Sequence, residues 1–285
     1  MTLQAAVTDR VGGAGAGGGA AAKRLPRRRA RAGADGPLVK AAYFAGSVVF
    51  GLAVWEFLAW YMGPSLVSPP VDTFYAAVDL TRDGRLIDSS LISLQRILIG
   101  WGAGLALGVP LGILMARVKV IRLLLDPYIE FFRFVPPIAF VTLAIAWFGI
   151  GETSKIVLIF YTSVFIITVN TIAGVLSINE SKLLAAASLG ASKRQTFVSV
   201  VLPSTVPYIV TGGRLALGNS FLTIVSAEIV AANSGLGSLI WSSRNFGRID
   251  WIFVGIIALG ILGYLCDRAI RLIARTALSR YDVKV

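Results

Sequence analysis

Residues 96–116 read RILIGWGAGLALGVPLGILMA, and this stretch decides the fold class. Only its first residue, Arg96, carries a charge. A bilayer core of about 30 Å is crossed by a helix of about 20 predominantly apolar residues. The stretch therefore predicts a membrane-spanning helix.

The composition of the whole chain extends this prediction. The 285 residues are 56% hydrophobic and 15% charged, with a mean hydropathy of +0.76. A soluble domain of this length has about 25% charged and about 45–50% apolar residues. A water-soluble globule and a disordered chain are both excluded, and an all-α integral membrane protein is predicted.

Two residue types exclude several enzyme classes. The chain has no histidine and a single cysteine, Cys266. A Ser-His-Asp triad, a histidine-containing metal site and an internal disulfide therefore cannot form. The sequence also lacks the G-x-x-x-x-G-K-[ST] loop that cradles nucleotide phosphates. We predict no catalytic residue, no metal ligand and no cofactor bound by this chain.

Six apolar stretches are long enough to be membrane spans. They lie at about 41–62, 96–116, 134–150, 154–176, 206–228 and 251–270. The first segment, 1–40, is rich in Gly, Ala and Arg and has no hydrophobic periodicity, so it is predicted to be a disordered basic tail. The transmembrane domain is then 41–285, with its core at 96–270.

The basic residues predict which side of the membrane each loop faces. Twenty of the 27 Lys and Arg residues fall in the tail, the 117–133 loop, the 177–205 loop and the C-terminus, whereas six fall in the opposite loops and their edges. Positive charge favours the cytoplasmic side. Both termini are therefore predicted to be cytoplasmic. The net charge of +12 indicates contact with membrane lipid rather than nucleic acid.

The longest external connection is the segment 63–95. Prolines interrupt its first part, and four aspartates give it an acidic character. One short helix is predicted at about Val71–Thr81, because Pro70 suits the first position of a helix.

A repeat of small residues marks the second predicted span. Glycine recurs every fourth residue there, at Gly100, Gly104, Gly108 and Gly112. Residues four apart lie nearly on one face of a helix, and small residues on such a face let two helix backbones approach closely in lipid. The repeat predicts a helix-packing face, with a direct role in lining a pathway as the alternative.

Four polar residues inside the predicted spans are candidates for the translocation path. They are Asn170, Arg214, Asn219 and Glu228. A charged group in the bilayer costs at least about 2.5 kcal/mol on insertion scales, so such residues often mark function. Arg214 and Glu228 are about 21 Å apart along one helix and cannot pair. Two alternatives stay open: Arg214 reaches the lipid headgroups, and Glu228 sits at the external edge.

The loop before the fifth predicted span contains strong local structure signals. An Ala- and Leu-rich run favours a helix, Gly190 would end it, and Ser192 suits the N-cap of a second helix over Lys193–Val201. Two prolines, Pro203 and Pro207, would then separate this helix from the span. Two short helices with small side chains at their junction would permit close docking of another protein.

This loop resembles the EAA loop of bacterial ABC importer permeases, in which E-A-A is followed by three residues, G, nine residues and I-x-L-P. The positions that carry or adjoin this pattern are Leu184, Ala185, Ala186, Gly190, Ala191, Leu202 and Pro203. Leu184 stands where the family has Glu, and Val200 where it has Ile. Downstream, the runs Gly213–Gly218, Ala227–Ile229 and Ser234–Gly237 are similar to the nitrate, sulfonate and taurine branch, and the similarity covers about 41–280.

The resemblance implies a type I ABC importer permease fold in a bacterial inner membrane, with six transmembrane helices and a cytoplasmic coupling-helix loop at 177–205. It implies that two ATPase subunits, which bind ATP and Mg²⁺, dock on that loop. It also implies a second permease copy, most simply in a homodimer, and an external solute-binding protein. The implied function is ATP-driven import of a small solute, of which a sulfonate-, taurine- or nitrate-like anion is the first expectation.

Other readings stay open at this stage. Aromatic carboxylates and neutral pyrimidines are alternative substrates. A self-contained secondary transporter or channel is the alternative from another class, and it would work without an ATPase. The docking-type loop argues against it. An intramembrane enzyme is the third possibility, but the spans show no convergent nucleophile and base.

Overall fold

The structure is a computed structural model that describes residues 36–231 and 233–277. Within these residues the chain forms helices and helical turns, with no strand. The helices are α1 (Pro37–Met62), α2 (Pro70–Arg82), α3 (Arg85–Arg117), α4 (Lys119–Phe132), α5 (Val141–Phe148), α6 (Glu152–Leu176), α7 (Glu180–Ser188), α8 (Lys193–Thr196), α9 (Leu202–Ala231), α10 (Leu236–Asn245) and α11 (Ile249–Ala277). The basic tail is predicted at 1–40, and its residues 1–35 lie outside the described residues.

The structure has long apolar helices of the type that the sequence predicts as membrane spans. Five helical stretches are long and apolar enough to cross a bilayer: most of α1, α3, α6, the stretch Lys193–Val230 and most of α11. A sixth span forms if α4 and the segment Pro137–Phe148 count together, and these two pieces are bent by 93° at their junction. The all-α membrane fold is therefore confirmed, with one span broken.

The prediction of a single third span at 134–150 is wrong, and so is the prediction of a loop at 117–133. The latter segment is helix α4, and a 3₁₀ turn precedes the eight-residue α5. The adjacent prolines Pro136 and Pro137 cause the break, because neither has an N–H to donate to the preceding turn. The hydroxyl of Tyr161 compensates in part, donating to the carbonyl of Phe132 at 2.6 Å.

The segment 63–95, predicted to be external, is more helical than expected. The helix expected at Val71–Thr81 is confirmed as α2. However, α3 begins at Arg85 rather than near 96, so it is 33 residues long and carries an extra segment beyond the apolar stretch. Gly84, in a left-handed conformation with φ of 79°, makes the tight turn between the two helices.

The loop before the fifth span also departs from the prediction at its end. The second short helix, expected at Lys193–Val201, does not stop before the prolines. It runs through α8 and a π-helical turn at Phe197–Val201 directly into α9. Pro203 and Pro207 both lie inside α9, so neither separates the short helix from the span.

The chain divides into two units after Phe50. In the first unit the described side chains from 39 to 50 are all exposed. The second unit holds the core, which lies where α3, α6, α9 and α11 meet. One buried cluster there comprises Ile97, Ile159, Leu217, Phe221 and Ile224. All the features that follow lie in this second unit.

Candidate functional site

A buried carboxylate marks the end of α9 that leads into α10, which is named the outer end after its predicted side of the membrane. Glu228 is 0% exposed. Its Oε1 accepts hydrogen bonds from Arg96 Nη1 at 2.7 Å and from Ser93 Oγ at 2.8 Å. Its Oε2 accepts from the backbone N–H of Gly237 at 2.8 Å. Both carboxylate oxygens therefore have donors, which a buried charge requires.

Arg96 is the centre of this outer network, and its side chain is 2% exposed. Besides Glu228, the guanidinium donates to both carboxylate oxygens of Glu152, at the start of α6, with 2.7 Å between Nη2 and Oε1. It also donates to Ser234, to the carbonyl at 2.8 Å and to Oγ at 2.9 Å. Lys155 adds a second cation, 3.1 Å from Glu152. Two cations and two carboxylates thus balance in charge.

The network joins α3, α6 and α9 to the turn that leads into α10. Ser93 Oγ also accepts the backbone N–H of Leu236 at 2.9 Å, so both first amides of α10 have partners in the network. Gly235 has φ of 104° and lies so close to the Glu228 carboxylate that a Cβ there would collide with it. The arrangement can hold this turn in one place, and disrupting the ion pair would release it.

The sequence interpretation of these residues was incomplete. Glu228 was expected either in the path or at the external edge, and Arg96 was counted among external loop-edge charges. The structure buries both and pairs them. The sequence could have indicated the partner of Glu228. Arg96 and Glu152 both begin apolar stretches at the same outer end as Glu228, so position along the helices, which separates Glu228 from Arg214, places these three residues at one level. Ser93 gave no signal, since serine is common in exposed helix turns.

The four glycines of the repeat in α3 are all buried, and they face α6. A Cβ on Gly104 would lie 2.5 Å from the Cβ of Ser163, and one on Gly112 would lie 2.6 Å from the Cβ of Thr171. A Cβ on Gly100 would lie 2.7 Å from the Cβ of Ile159, and one on Gly108 would lie 3.1 Å from the Cβ of Ile167. Real Cβ atoms essentially never come within 3.0 Å of another atom in this way, and the contact at Gly108 is also unusually tight, so the stripe is the surface on which the two helix backbones meet.

Arg214 is paired with another helix of the bundle, a partner that neither sequence alternative for this residue included. Its Nε donates to Asp267 Oδ1 of α11 at 2.8 Å. Asp267 is also paired with Arg271 one turn further along α11, at 2.6 Å. Arg214 therefore has a specific partner within the bundle. The sequence interpretation missed this pair because nothing in the sequence sets the rotation of α11 against α9.

The two asparagines occupy different surroundings. Asn170 donates to the carbonyl of Ile166 at 2.8 Å, and its Cβ lies 2.6 Å from where a Cβ on Gly212 would be, so it packs between α6 and α9. Asn219 is exposed and donates to Leu215 within α9. The four path candidates are thus not brought together. They occupy separate places along the bundle.

Local interactions shape the loop 177–205. Asn179 caps α7 by accepting the N–H of Ser181 at 2.9 Å. Gly190 ends the turn with φ of 73°. Ser192 and Gln195 form a reciprocal capping box at the start of α8, with 2.8 Å for the bond from the Ser192 N–H. These findings confirm the predicted two helices joined at Gly190 and the predicted cap.

The motif positions of this loop differ in exposure. Leu184, Ala185 and Gly190 are exposed, and no residue of α7 is buried. Leu184 is 60% exposed and Leu189 is 88% exposed. The remaining motif positions are half-buried: Ala186, Ala191, Leu202 and Pro203. The loop therefore presents apolar and small side chains that no described part of the chain covers.

Comparison with known proteins agrees with this geometry. The family described as "Binding-protein-dependent transport system inner membrane component" matches residues 108–278. A probable ABC transporter permease protein of Brucella melitensis is 37% identical over 79% of this chain and 91% of its own length. The taurine transport system permease protein of Escherichia coli is 35% identical, over 81% and 86%. A nitrate import permease protein of Synechocystis is 34% identical, over 77% and 82%.

Solved structures show the same fold. A chain of the inward-facing MetNI methionine ABC transporter matches with a TM-score of 0.56 and 18% identity, covering 68% of this chain and 98% of that one. At this identity the likeness concerns the fold alone, which is that of a type I ABC importer permease. The chain belongs to the family of binding-protein-dependent transport system inner membrane components and is the multi-pass membrane permease of an ABC importer that works with ATPase subunits and a binding protein.

Proposed function

We propose that this permease imports a small anion of the sulfonate or nitrate type into the cytoplasm. The observation that carries the proposal is the set of relatives named for taurine, aliphatic sulfonates and nitrate, which are 33–35% identical over 77–81% of this chain. Each of these solutes carries an oxyanion group. An aliphatic sulfonate such as taurine is the first expectation.

The exposed face of α9 supports a path formed with a second copy of the chain. Side chains three or four positions apart are exposed along most of its length: Tyr208, Thr211, Leu215, Asn219 and Leu222. Such spacing forms one continuous stripe on a helix. The stripe mixes polar and apolar groups, and the other described helices leave it uncovered. Two such stripes facing each other in a homodimer would place Asn219 beside the substrate.

The loop 177–205 is proposed to be the docking element for two ATPase subunits. Of its exposed leucines, Leu184 lies on α7 and Leu189 is the C-cap residue of that helix. Exposed apolar side chains in a polar setting indicate a surface that a partner protein covers. ATP and Mg²⁺ then bind in the partner subunits, and this chain needs no catalytic site or cofactor.

The orientation follows from the same proposal. The loop must face the cytoplasm to meet ATPase subunits, and the excess of basic residues on its side agrees with that direction. A cysteine introduced at Ser181 should react only with reagent supplied from the cytoplasm, and one at Gly84 only from outside. The opposite pattern would overturn the orientation. A cysteine introduced at Ser279, a position outside the described residues, should likewise react only from the cytoplasm.

Substrate class is tested in proteoliposomes that contain the permease, its ATPase subunits and its binding protein. Uptake of taurine, nitrate and uracil is compared at equal concentration, with and without ATP. We expect ATP-dependent uptake of taurine or nitrate. Uptake of uracil alone would overturn the anion proposal, while uptake of any solute without ATP would contradict the coupling to ATPase subunits.

Docking is tested by bulky substitutions at two matched glycines. Gly190 and Gly247 both have positive φ, of 73° and 66°, and both have open space where a Cβ would be. Gly190→Trp should prevent the ATPase subunits from co-purifying with the permease, because it fills the docking surface. Gly247→Trp carries similar backbone strain outside the loop and should leave co-purification intact. Equal behaviour of the two variants would show that the loop is not the docking element.

A further inference from the structure

One widened turn interrupts the helix that connects the coupling loop to the fifth span. Residues Phe197–Val201 form a π-helical turn between α8 and α9. At its end the N–H of Leu202 donates to the carbonyl of Phe197, five residues back rather than four. Single π turns inside α-helices are rare, and they occur frequently at functional sites.

Pro203 explains the position of the turn. In a regular α-helix its ring would clash with the carbonyl of Ser199, four residues back, and it has no N–H to donate to that carbonyl. The π turn, Phe197–Val201, ends two residues before Pro203 and includes Ser199, so the helix is widened at the place where the clash would occur. Pro207 repeats the loss of a donor one turn later, on the same face of α9.

We propose that Pro203 is a positioning residue for ATP coupling, because the π turn that it imposes sets the rotation of α7 and α8 relative to α9. An α-helix rotates about 100° and rises 1.5 Å per residue. The π turn holds one residue more than an α-helical turn. Relaxing it to a regular α-helix would therefore rotate the coupling helices by about 100° and displace them by about 1.5 Å.

Both sides of the turn are held by other parts of the fold, so the rotation has a defined reference. On the span side, Thr205 is buried and packs with Tyr208 so tightly against α6 that a Cβ on Gly174 would lie 2.6 Å from the Cβ of Tyr208. On the loop side, the guanidinium of Arg117, the last residue of α3, lies 5.1 Å from the ring centre of Phe197. A rotation at the turn would break the second contact while the first stays fixed.

This inference rests on the proposed docking of ATPase subunits on the loop, and it is tested by a reciprocal rescue. Three variants are prepared in the complex with the ATPase subunits: Pro203→Ala, deletion of the exposed Ser199, and both changes together. Pro127→Ala, which removes a proline from within α4, is the control for proline loss. The readouts are MgATP hydrolysis by the complex and the distance between spin labels at Ser188 and Lys119, in a Cys266→Ser background.

Each single change should alter the label distance and lower permease-stimulated ATP hydrolysis about tenfold, and the combined variant should recover both. The reason is geometric. Alanine allows a regular α-helix, and one residue fewer then restores the original rotation. Unchanged distance and activity in Pro203→Ala would overturn the inference, as would a combined variant that is worse than either single variant. If neither single variant folds, recovery or failure of the combined variant still decides.

The outcome is separable from that of the docking proposal. If Gly190→Trp still binds the ATPase subunits, the docking proposal fails whatever the rescue shows. If Gly190→Trp loses them and the losses at Pro203 and Ser199 simply add, docking stands and only the role of the π turn is overturned. Pro127→Ala should resemble the unmodified chain in both readouts.

Discussion

The two ends of α9 are held by different kinds of interaction. At the outer end, Glu228 is bonded to Arg96 and Ser93, which are 132 and 135 positions away in the chain. At the other end, the side-chain hydrogen bonds of the 177–205 loop join residues two to four positions apart. The outer end exists only when the whole bundle is assembled, whereas the loop can form its helices locally. The first is suited to a fixed structure and the second to a surface that moves with a partner.

The largest expected effect is at the outer network. Arg96→Ala leaves Glu228 buried without its cation, and removing one partner of a buried ion pair costs about 3–5 kcal/mol in the free energy of unfolding. Denaturant unfolding of the purified permease in detergent measures this change. Arg85→Ala is the matched control, because Arg85 is paired with Asp83 and both side chains are about half exposed. It should cost within about 1 kcal/mol.

Equal costs for the two arginine variants would break the comparison between the ends of α9. The outer network would then contribute no more than a surface ion pair. A large loss of unfolding free energy for Arg96→Ala, together with normal co-purification of the ATPase subunits, would sharpen the comparison instead. It would show that the outer network can be disrupted without affecting the loop at the other end of α9.

The second effect concerns the bundle between the two ends. Gly104→Ala places a methyl group 2.5 Å from the Cβ of Ser163, and overpacking of this kind costs about 1–3 kcal/mol. Gly102 lies two residues away on the same helix, with nothing within 4 Å of an added Cβ. Gly102→Ala should stabilise the helix by about 0.5–1 kcal/mol, because glycine is the more flexible residue when unfolded. The midpoint temperature of thermal unfolding should therefore fall for Gly104→Ala and rise for Gly102→Ala. A shift of both midpoints in the same direction would contradict the packing of α3 on α6.

The contrast between long-range and local interactions also explains what the sequence could predict. The apolar stretches, the glycine repeat, the cap at Ser192 and the turn at Gly190 depend on neighbours in the chain, so their patterns were readable. The ion pairs of Arg96 with Glu228 and of Arg214 with Asp267 depend on how separate helices are rotated against each other. The broken third span depended on how adjacent prolines are accommodated in a bundle, and hydropathy averages over such a break.

The third effect is at Gly190, where two explanations for glycine can be separated. The structure shows φ of 73° and open space around the position. If the positive φ is the reason, Gly190→Ala should destabilise the local turn by about 1–2 kcal/mol, and Gly190→Asn by less, since asparagine tolerates this conformation. Hydrogen exchange of the α7 amides measures the local stability. If both variants keep α7 stable but lose ATPase binding, the reason is instead a side-chain-free approach of the partner.

The smallest effect is expected at Leu184, and it tests how tolerant the loop surface is. This position carries leucine where the family pattern has glutamate, and its side chain is 60% exposed. Leu184→Glu breaks no hydrogen bond of the fold and fills no buried space, so the cost should stay within about 0.5 kcal/mol, as for most exposed substitutions. The complex should keep more than about half of its MgATP hydrolysis, because such a cost changes an equilibrium only about twofold. Leu189→Glu, at a neighbouring leucine that is 88% exposed, is the matched comparison. A loss of MgATP hydrolysis confined to Leu184→Glu would mean that the ATPase contacts an apolar side chain at this position. The loop would then depend on a specific contact, as the outer network does on its ion pairs.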